Sequence, residues 1–271
     1  MQPSLLTFAQ RREDQPAPKP VARPSTSLGT NGVGRVAFRR VVQGPGFFPD
    51  SVTYTFRPNP RTSPTPRLSL SAWTFVRGSG DAPLATGGML GGSQAGARLL
   101  YRVAPRLAAS ARIATPLATA NGAEAAIGLD WQPFRKLPLH LLAERRQKLG
   151  PQARNAFAVT AYGGVSDVKL AAFRLDAYAQ GGIVGTRSRD LFADGAITAT
   201  LPIAARGRLR AGAGTWAAAQ PGVSRVDVGP TIAVTVPAPR GTATLTLDYR
   251  LRTTGNARPG SGPTLTLSAG F

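Results

Sequence analysis

Charged side chains alternate with apolar ones in several segments of this chain, and these are the residues whose types and spacing could do chemistry. In TATLTLDYRLRT (residues 242–253), Asp248, Arg250 and Arg252 share one side of an extended chain, and leucines and a tyrosine occupy the other. Basic residues outnumber acidic ones in this polar phase, so a narrow passage lined by it would favour anions. The candidate passage-lining and ligand-contacting residues are Arg98, Arg102, Glu144, Arg146, Lys148, Arg174, Asp176, Tyr178, Arg208, Arg210, Asp248, Arg250 and Arg252.

The residue types do not favour catalysis or metal binding. The chain has no cysteine and a single histidine, His140, which excludes thiolate sites and multi-histidine zinc sites. His140 and Glu144 would lie about 13 Å apart on one face of a strand at ~3.3 Å per residue, too far for a direct hydrogen bond. We expect no enzymatic activity, no metal and no cofactor, and we expect His140 to form hydrogen bonds inside the fold.

The elements that must position these residues are strands. From about residue 67 onward, alternating segments of roughly ten residues recur between Gly, Pro, Asn and Asp, whereas helical periodicity is poor. Two further strands are expected at residues 33–42 and 51–57. The twelve principal strands are expected at residues 67–77, 94–103, 106–115, 123–131, 137–148, 155–165, 173–183, 190–201, 206–217, 225–236, 242–253 and 262–271.

This pattern predicts an all-β fold, an antiparallel up-and-down transmembrane β-barrel of about twelve strands, within roughly 10–14. The barrel is expected over residues 67–271, after a disordered proline-rich leader (residues 1–32) and a poorly defined strand and linker segment (residues 33–66). A soluble sandwich also alternates, but its strands are usually about five or six residues long. Aromatic residues near the strand ends suit the two interfaces of a bilayer, namely Trp131, Phe157, Phe173 and Phe271.

The last segment, GPTLTLSAGF (residues 262–271), indicates the compartment. Leu265, Leu267, Ala269 and Phe271 lie on one side of it, as in the final strand of bacterial outer-membrane barrels, which the assembly machinery reads. We predict that these four residues form an assembly signal, that the strand pairs with the first strand, and that the protein resides in the bacterial outer membrane. The first twenty residues conflict with this location, because their apolar run of about five residues is shorter than the ~7–15 of a signal peptide.

Residues 131–150 (WQPFRKLPLHLLAERRQKLG) and 154–164 (RNAFAVTAYGG) carry a family resemblance. A Leu-Pro-Leu strand entry, a Glu-Arg-Arg centre, a Lys-Leu-Gly exit and a following Arg-Asn resemble the C-terminal barrel of the bacteriophage adsorption protein A family. More distantly, they resemble the outer-membrane subunits that export cellulose and related exopolysaccharides. The resemblance spans roughly residues 90–271 and implies a barrel that conducts or anchors an exported polymer. Those families carry a helical-repeat region ahead of the barrel, where this sequence has its proline-rich leader, so a periplasmic scaffolding role is not carried over.

The expected partners are outer-membrane lipid, the barrel-assembly machinery and an anionic polysaccharide in a basic lumen. The formal charge of +20 is typical of nucleic-acid binding, but the arginines are spread singly at alternate positions, so no nucleic acid is expected. Two alternatives stay open. One is a plugged barrel with a structural or receptor role and no transport, and the other is a soluble basic all-β module that binds nucleic acid or glycan.

Overall fold

Twelve antiparallel strands form the fold in a computed structural model, which describes residues 67–77, 92–117, 120–186, 189–204, 207–238 and 241–271. The expected leader and the expected strands at residues 33–42 and 51–57 lie outside the described residues. A short 3-10 helix (Ala120–Gly122) precedes β4. The strands are β1 (Leu68–Arg77), β2 (Gln94–Ala104), β3 (Leu107–Pro116), β4 (Glu124–Trp131), β5 (Leu139–Lys148), β6 (Ala156–Leu170), β7 (Phe173–Val184), β8 (Asp190–Ala204), β9 (Leu209–Gln220), β10 (Val223–Ala238), β11 (Gly241–Gly255) and β12 (Gly262–Gly270).

The strands pair in chain order, and the last one returns to the first to close a barrel. The closing seam joins β1 to β12 from Ser71 opposite Gly270 to Arg77 opposite Thr264. Leu70 and Phe271 extend this ladder by exchanging two backbone hydrogen bonds of 3.0 and 2.8 Å. A closed ring leaves no strand edge without a partner. The expected fold class and the expected pairing of the final strand with the first are therefore confirmed.

The alternating sequence places polar side chains inside the barrel and apolar side chains outside. In β11, the outward side chains Leu245, Leu247, Tyr249 and Leu251 are 44–50% exposed, whereas the inward Asp248 and Arg250 between them are 3% and 0% exposed. This inverts the arrangement of a water-soluble barrel, which buries its apolar face. The aromatic residues expected at strand ends also lie on the exposed outer surface, namely Trp131, Phe157, Phe173 and Phe271.

The two ends of the barrel differ in the length of their connections. We call the end where β1 begins and β12 finishes the terminal end, and the opposite end the loop end. Connections at the terminal end hold two, seven, two, four and two residues, and those at the loop end hold sixteen, seven, seven, five, two and six. Among the described residues, no helix is long and apolar enough to cross a membrane.

Most strand boundaries differ from the expected ones by one to three residues, and two differences affect the candidate site. Arg208 was expected inside a strand, but it precedes β9 and is exposed. β6 continues to Leu170, five residues beyond its expected end at residue 165. Its register shifts between Val165 and Val168, and Asp167 has a φ of 56°. A bulge changes which residues face inward, so the alternation that predicts a strand is interrupted there.

The register of the closing seam can be tested by cross-linking, because the chain has no cysteine of its own. Thr74 lies opposite Leu267 across the seam, and both face outward. We expect Thr74→Cys combined with Leu267→Cys to form a disulfide in the folded protein, detected as a reductant-sensitive mobility shift of the denatured chain. Thr74→Cys combined with Ile127→Cys is the matched control and should not cross-link within one chain. Equal cross-linking of both pairs would contradict the closed register.

Candidate functional site

The largest group of buried charges surrounds Glu144 on neighbouring strands β2 to β5. Arg112 and Arg146 donate hydrogen bonds of 3.2 and 2.8 Å to Glu144, and Arg98 lies 3.7 Å from its second carboxylate oxygen. Arg112 also donates to Glu124. Arg98 and Arg112 stand directly opposite each other on β2 and β3, a pairing of like charges that is destabilising by itself. Glu144 supplies the shared counter-charge, and we call these five residues the Glu144 cluster.

Next to this cluster, Asp130, His140 and Tyr162 form a hydrogen-bonded group. Asp130 bonds the Nδ1 atom of His140 at 2.7 Å and accepts a hydrogen bond from the Tyr162 hydroxyl. The two rings stack with their centroids 5.0 Å apart. His140 thus bonds Asp130 inside the fold, as expected of a lumen residue. Within the described residues its Nε2 atom has no hydrogen-bond partner.

On the opposite wall, Arg250 lies between two aromatic rings. Its guanidinium carbon is 4.2 Å from the Trp216 ring centroid and 5.3 Å from that of Phe75. Arg250 also donates to Asp248 at 3.1 Å. These contacts combine cation–π attraction with a charged hydrogen bond. We call Phe75, Trp216, Asp248 and Arg250 the Arg250 cluster.

Glycine at position 214 permits the placement of Trp216. A Cβ atom on Gly214 would lie 2.6 Å from two carbons of the indole. The indole therefore occupies space beside Gly214 that any larger residue would fill. Alanine at position 214 would push the ring away from the barrel wall. Packing therefore explains why a glycine lies two residues before Trp216.

A third group of buried charges lies beside the seam. Arg225 makes a bidentate contact with Asp227 through hydrogen bonds of 2.9 and 3.0 Å. Arg77 reaches the same carboxylate from β1 at 3.3 Å and also donates to the Gly260 carbonyl at 2.9 Å. Asp227 is fully buried. Charges removed from water in this way are stable only when they are paired and hydrogen-bonded.

Near the terminal end, Asp176 is the centre of a smaller network. It accepts hydrogen bonds from the Ser166 hydroxyl at 2.5 Å and the Asp167 amide at 2.9 Å, and Arg210 lies 3.5 Å away. Arg174 pairs with Asp167 at 3.5 Å. The bulge in β6 therefore helps to position this network, because it brings Ser166 and Asp167 to one carboxylate.

A polar cavity lies between the Arg250 cluster and the terminal end, with a volume of about 590 Å³ that includes the open solvent at its mouth. Its deep side is formed by Trp216 and Asp248, and its walls come from β8 to β12. We call it the hydroxyl cup, because threonine and serine dominate its lining. The lining residues are Asp176, Thr198, Thr200, Arg210, Trp216, Thr231, Ala233, Thr244, Thr246, Asp248, Thr266 and Ser268.

The candidate residues fall into three sets by position. Those in the middle of strands are buried in the lumen: Arg98, Glu144, Arg146, Asp176, Tyr178, Arg210, Asp248 and Arg250. Four lie in strands but are partly or fully exposed near the barrel ends: Arg102, Lys148, Arg174 and Arg252. Arg208 alone lies outside the strands: it precedes β9 by one residue and is exposed.

The four residues of the expected assembly signal lie on β12 or directly after it. Leu265, Leu267 and Phe271 are exposed on the outer surface, and Ala269 is half-buried between them. Their role in assembly stays a prediction.

Sequence reasoning missed several members of the buried networks. Asp130 and Asp227 were recognised among the polar residues that alternate along their predicted strands. The sequence analysis did not select six others: Phe75, Arg77, Arg112, Tyr162, Trp216 and Arg225. Extending the alternation of each strand to its ends would have shown that the charged residues among them face inward. The aromatic members could not be found in this way, because an inward aromatic residue breaks the polar pattern.

The buried charges nearly balance, which differs from the strongly basic lumen expected. Among the described residues, the buried set holds seven arginines (77, 98, 112, 146, 210, 225 and 250) and five carboxylates (130, 144, 176, 227 and 248). Glu124 adds a sixth carboxylate at the edge of the Glu144 cluster. Most of the basic residues in the described ranges therefore lie outside this buried set.

The fold and the lumen together define a class: a twelve-stranded up-and-down β-barrel with an apolar exterior and a charge-paired interior. Comparison with protein-family models gives no match, and comparison with curated proteins gives none either. The resemblance to the phage adsorption and polysaccharide export families therefore stays a prediction.

Solved structures provide the remaining comparison. The chain is similar to the COG4313 outer membrane channel from Pseudomonas putida F1, with 13% identity, a TM-score of 0.45, and coverage of 80% of this chain and 99% of that one. It is also similar to OpdK of Pseudomonas aeruginosa, with 10% identity, a TM-score of 0.33, and coverage of 75% and 96%. A third is Wzi of Escherichia coli, a carbohydrate-binding β-barrel involved in group 1 capsule assembly, with 8% identity, a TM-score of 0.29, and coverage of 66% and 51%. At such values the similarities carry no inference about ligand or activity.

The energetic weight of the Glu144 cluster can be measured with Glu144→Gln. The amide keeps the shape but removes the charge shared by Arg98, Arg112 and Arg146, so we expect a loss of about 3–5 kcal/mol in the free energy of unfolding. Urea unfolding of the folded barrel in lipid vesicles measures it.

The matched control is Asp190→Asn, which breaks the Arg154–Asp190 pair at the loop end, whose side chains are 42% and 36% exposed. An exposed pair is worth about 0–1 kcal/mol. Similar small losses for both variants would contradict the burial of an essential charge network around Glu144.

Proposed function

We propose that this protein is an outer-membrane β-barrel that anchors an exported polymer, expected to be an exopolysaccharide, through a lumen that is closed in its resting state. Insertion in the membrane is supported by the exposed apolar outer face and the polar interior. A transmembrane barrel needs both, because lipid contacts one face and the lumen is enclosed by the other. The observation that carries the closed state is the burial of the charges at mid-lumen.

The unequal ends of the barrel support one orientation in the membrane. Outer-membrane barrels have short turns on the periplasmic side and longer loops on the extracellular side. The terminal end has mostly two-residue turns, so it faces the periplasm in this proposal. The hydroxyl cup then opens toward the periplasm, where an exported polymer would arrive.

Anchoring is favoured over free conduction because the charges that the described strands direct into the lumen are buried and paired. Arg250 and Asp227 are both fully buried. The Glu144 cluster occupies one wall, and the Arg250 cluster and the Arg77–Arg225–Asp227 group occupy the other. A polymer strand cannot pass these side chains unless they move apart.

A gated channel is the second candidate, and one observation favours it. The cup leads directly to the Arg250 cluster, where closure depends on ring contacts to one guanidinium and on its hydrogen bond to Asp248. Such contacts are individually worth about 0.5–2 kcal/mol, so a rearrangement is energetically accessible. Nucleic-acid binding by a soluble module is the least supported alternative, because the outward face is apolar.

Membrane insertion is tested by placing a charge on the outward face. Leu247 lies in the middle of β11 and is half exposed. At mid-bilayer, Leu247→Arg should lower the free energy of unfolding in lipid vesicles by about 2–4 kcal/mol.

Leu149→Arg is the control, because it makes the same substitution just beyond β5, at the loop end. It should cost no more than about 1 kcal/mol near the interface. In a soluble protein both exposed leucines would tolerate arginine within about 0.5 kcal/mol, so two small effects would contradict the membrane barrel.

Closure is tested by planar-bilayer conductance. We expect the wild-type barrel to conduct weakly, and Arg250→Ala to raise the conductance several-fold, because it removes the guanidinium between Phe75 and Trp216. Trp216→Ala should act in the same direction and guards against a folding defect in one variant. Arg252→Ala removes the same charge two residues along β11, at the barrel rim, and should leave the conductance unchanged. A high wild-type conductance, or no increase in either lumen variant, would contradict closure at this level.

A further inference from the structure

A group of basic residues surrounds the mouth of the lumen at the terminal end. Each lies in the last residues of a strand or in the connection beside it, and each is exposed or half-exposed. We call this group the basic rim, and its members are Arg67, Arg102, Arg106, Lys169, Arg174 and Arg208. The proposed orientation places the rim on the periplasmic side, so the inference drawn from it rests on the proposed function.

The register of β1 and β2 places two rim arginines side by side on the inward phase. Arg102 follows the inward, buried Arg98 by four residues, and its amide donates a hydrogen bond of 2.7 Å to the Arg67 carbonyl. Arg67 therefore continues the ladder opposite Arg102, so the two positive residues are neighbours. Like charges in such cross-strand positions are destabilising by themselves.

Lys169 of β6 and Arg174 of β7 form a second pair of this kind. They lie directly opposite each other in the ladder, and Arg174 precedes the inward Asp176 by two residues. Arg208 precedes the inward Arg210 by two residues, and its carbonyl continues the ladder from β9 to β10. The rim cations thus lie on three separate sectors of the wall: β1 to β3, β6 with β7, and β9.

Carboxylates at this end do not balance the basic rim. Within the described ranges, Asp167 is the one partly exposed carboxylate at the terminal end, and it lies 3.5 Å from Arg174 and 3.9 Å from Arg210. Asp130 and Asp176 lie further inside the barrel, where they are buried. The six rim cations therefore share one accessible carboxylate, whereas the charges buried in the lumen nearly balance.

The loop end is less basic among the described residues. The exposed cations close to its connections are Lys148, Arg154, Arg189, Arg252 and Arg258. The carboxylates that begin β4 and β8, Glu124 and Asp190, accompany them. At the terminal end, Arg135 and Lys136 of the β4–β5 connection add two further exposed cations to the six of the rim. A polyanion is therefore attracted more strongly to the terminal end.

The inward phase of the rim favours a polymer at the lumen mouth over a lipid headgroup. The outward residues beside the rim are apolar and exposed, and they include Leu68, Tyr101 and Phe173. Lipid contacts this outward face in a transmembrane barrel. The cations on the alternate phase instead surround the axis along which a polymer meets the lumen.

The spacing of the three sectors favours a ligand with several negative charges. Four strand intervals separate β2 from β6, which is ~20 Å along the wall for strands spaced ~4.8 Å apart. A single carboxylate contacts only one sector, whereas a polymer with a carboxylate on each sugar can contact several sectors at once. Contacts made by one linked chain reinforce each other.

We infer that the basic rim binds an acidic polysaccharide at the periplasmic mouth of the barrel, through carboxylates on successive sugar units. The anionic polymer expected from the total charge of the chain is thus recognised at the mouth and not inside the lumen, whose buried arginines already have carboxylate partners. Because the rim is exposed, each contact is weak, and binding depends on several charges and on the salt concentration.

The test uses isothermal titration calorimetry on the folded full-length barrel in an uncharged detergent. It compares an oligogalacturonate of about ten units with galacturonic acid and with a neutral maltooligosaccharide of the same length. At about 50 mM salt, we expect the acidic oligomer to bind at least about tenfold more tightly than either comparison ligand, with an affinity that falls at about 300 mM because salt screens exposed charges. No binding of the acidic oligomer at millimolar concentration, equal binding of the neutral one, or insensitivity to salt would overturn the inference.

The site is identified with a triple variant, Arg67→Gln with Lys169→Gln and Arg208→Gln, which removes one cation from each sector. All three side chains are exposed, so the variant should fold like the wild type. Its affinity for the acidic oligomer should fall by about tenfold at low salt, the summed loss of three exposed charge contacts.

The matched control is Lys148→Gln with Arg252→Gln and Arg258→Gln, which removes the same charge from the loop end and should bind like the wild type. Equal affinity of the two triple variants would place the binding outside the basic rim and contradict the inference.

A short-chain anionic lipid, dihexanoylphosphatidylglycerol, tests the competing ligand class. If it displaces the acidic oligomer at equal charge concentration, the rim binds lipid headgroups, and the inference is wrong. Membrane insertion and conductance are measured separately, so a closed barrel that bound only the neutral oligomer would retain the proposed function and lose this inference.

Discussion

The continuous ladder of backbone hydrogen bonds around the barrel is the constraint on which the rest of this structure depends. Each strand is paired on both sides, and the Leu70–Phe271 and β1–β12 contacts complete the ring. Once the ring is closed, every residue must face either the outer surface or the lumen. A sequence with strict alternation can satisfy both environments along one strand, as Leu247, Asp248 and Tyr249 do. The apolar exterior and the charged interior are therefore two results of one closure.

Charges directed into an enclosed lumen must find partners there, and this requirement shapes the interior. An isolated buried charge costs several kcal/mol, whereas a paired and hydrogen-bonded one is tolerated. Glu144 serves three arginines, and Asp227 serves Arg77 and Arg225 from opposite sides of the seam. These networks link strands that are not neighbours, so they also brace the barrel across its interior. The same contacts place these side chains inside the barrel, away from solvent.

Alternation in the sequence was sufficient to predict the number of strands, their approximate bounds and the side on which most residues lie. It could not predict which inward residues meet. Strands tilt in a barrel, so the position of a side chain along the barrel axis depends on the register of every strand pair before it. Arg98 of β2 thus reaches Glu144 of β5, and Arg77 of β1 reaches Asp227 of β10, although neither pair is on adjacent strands. The near balance of buried charge depends on these pairings and was missed for the same reason.

The lumen is chemically asymmetric, and two side chains connect its two parts. Arginine and carboxylate pairs line β2 to β5, whereas threonine, serine, glycine and alanine line the part of β8 to β12 that is nearest the terminal end. Trp216 and Asp248 belong to both the hydroxyl cup and the Arg250 cluster. Movement of Trp216 or Asp248 would therefore change the shape of the cup and the contacts of Arg250 together. The two features share side chains, so a substitution at either position alters both.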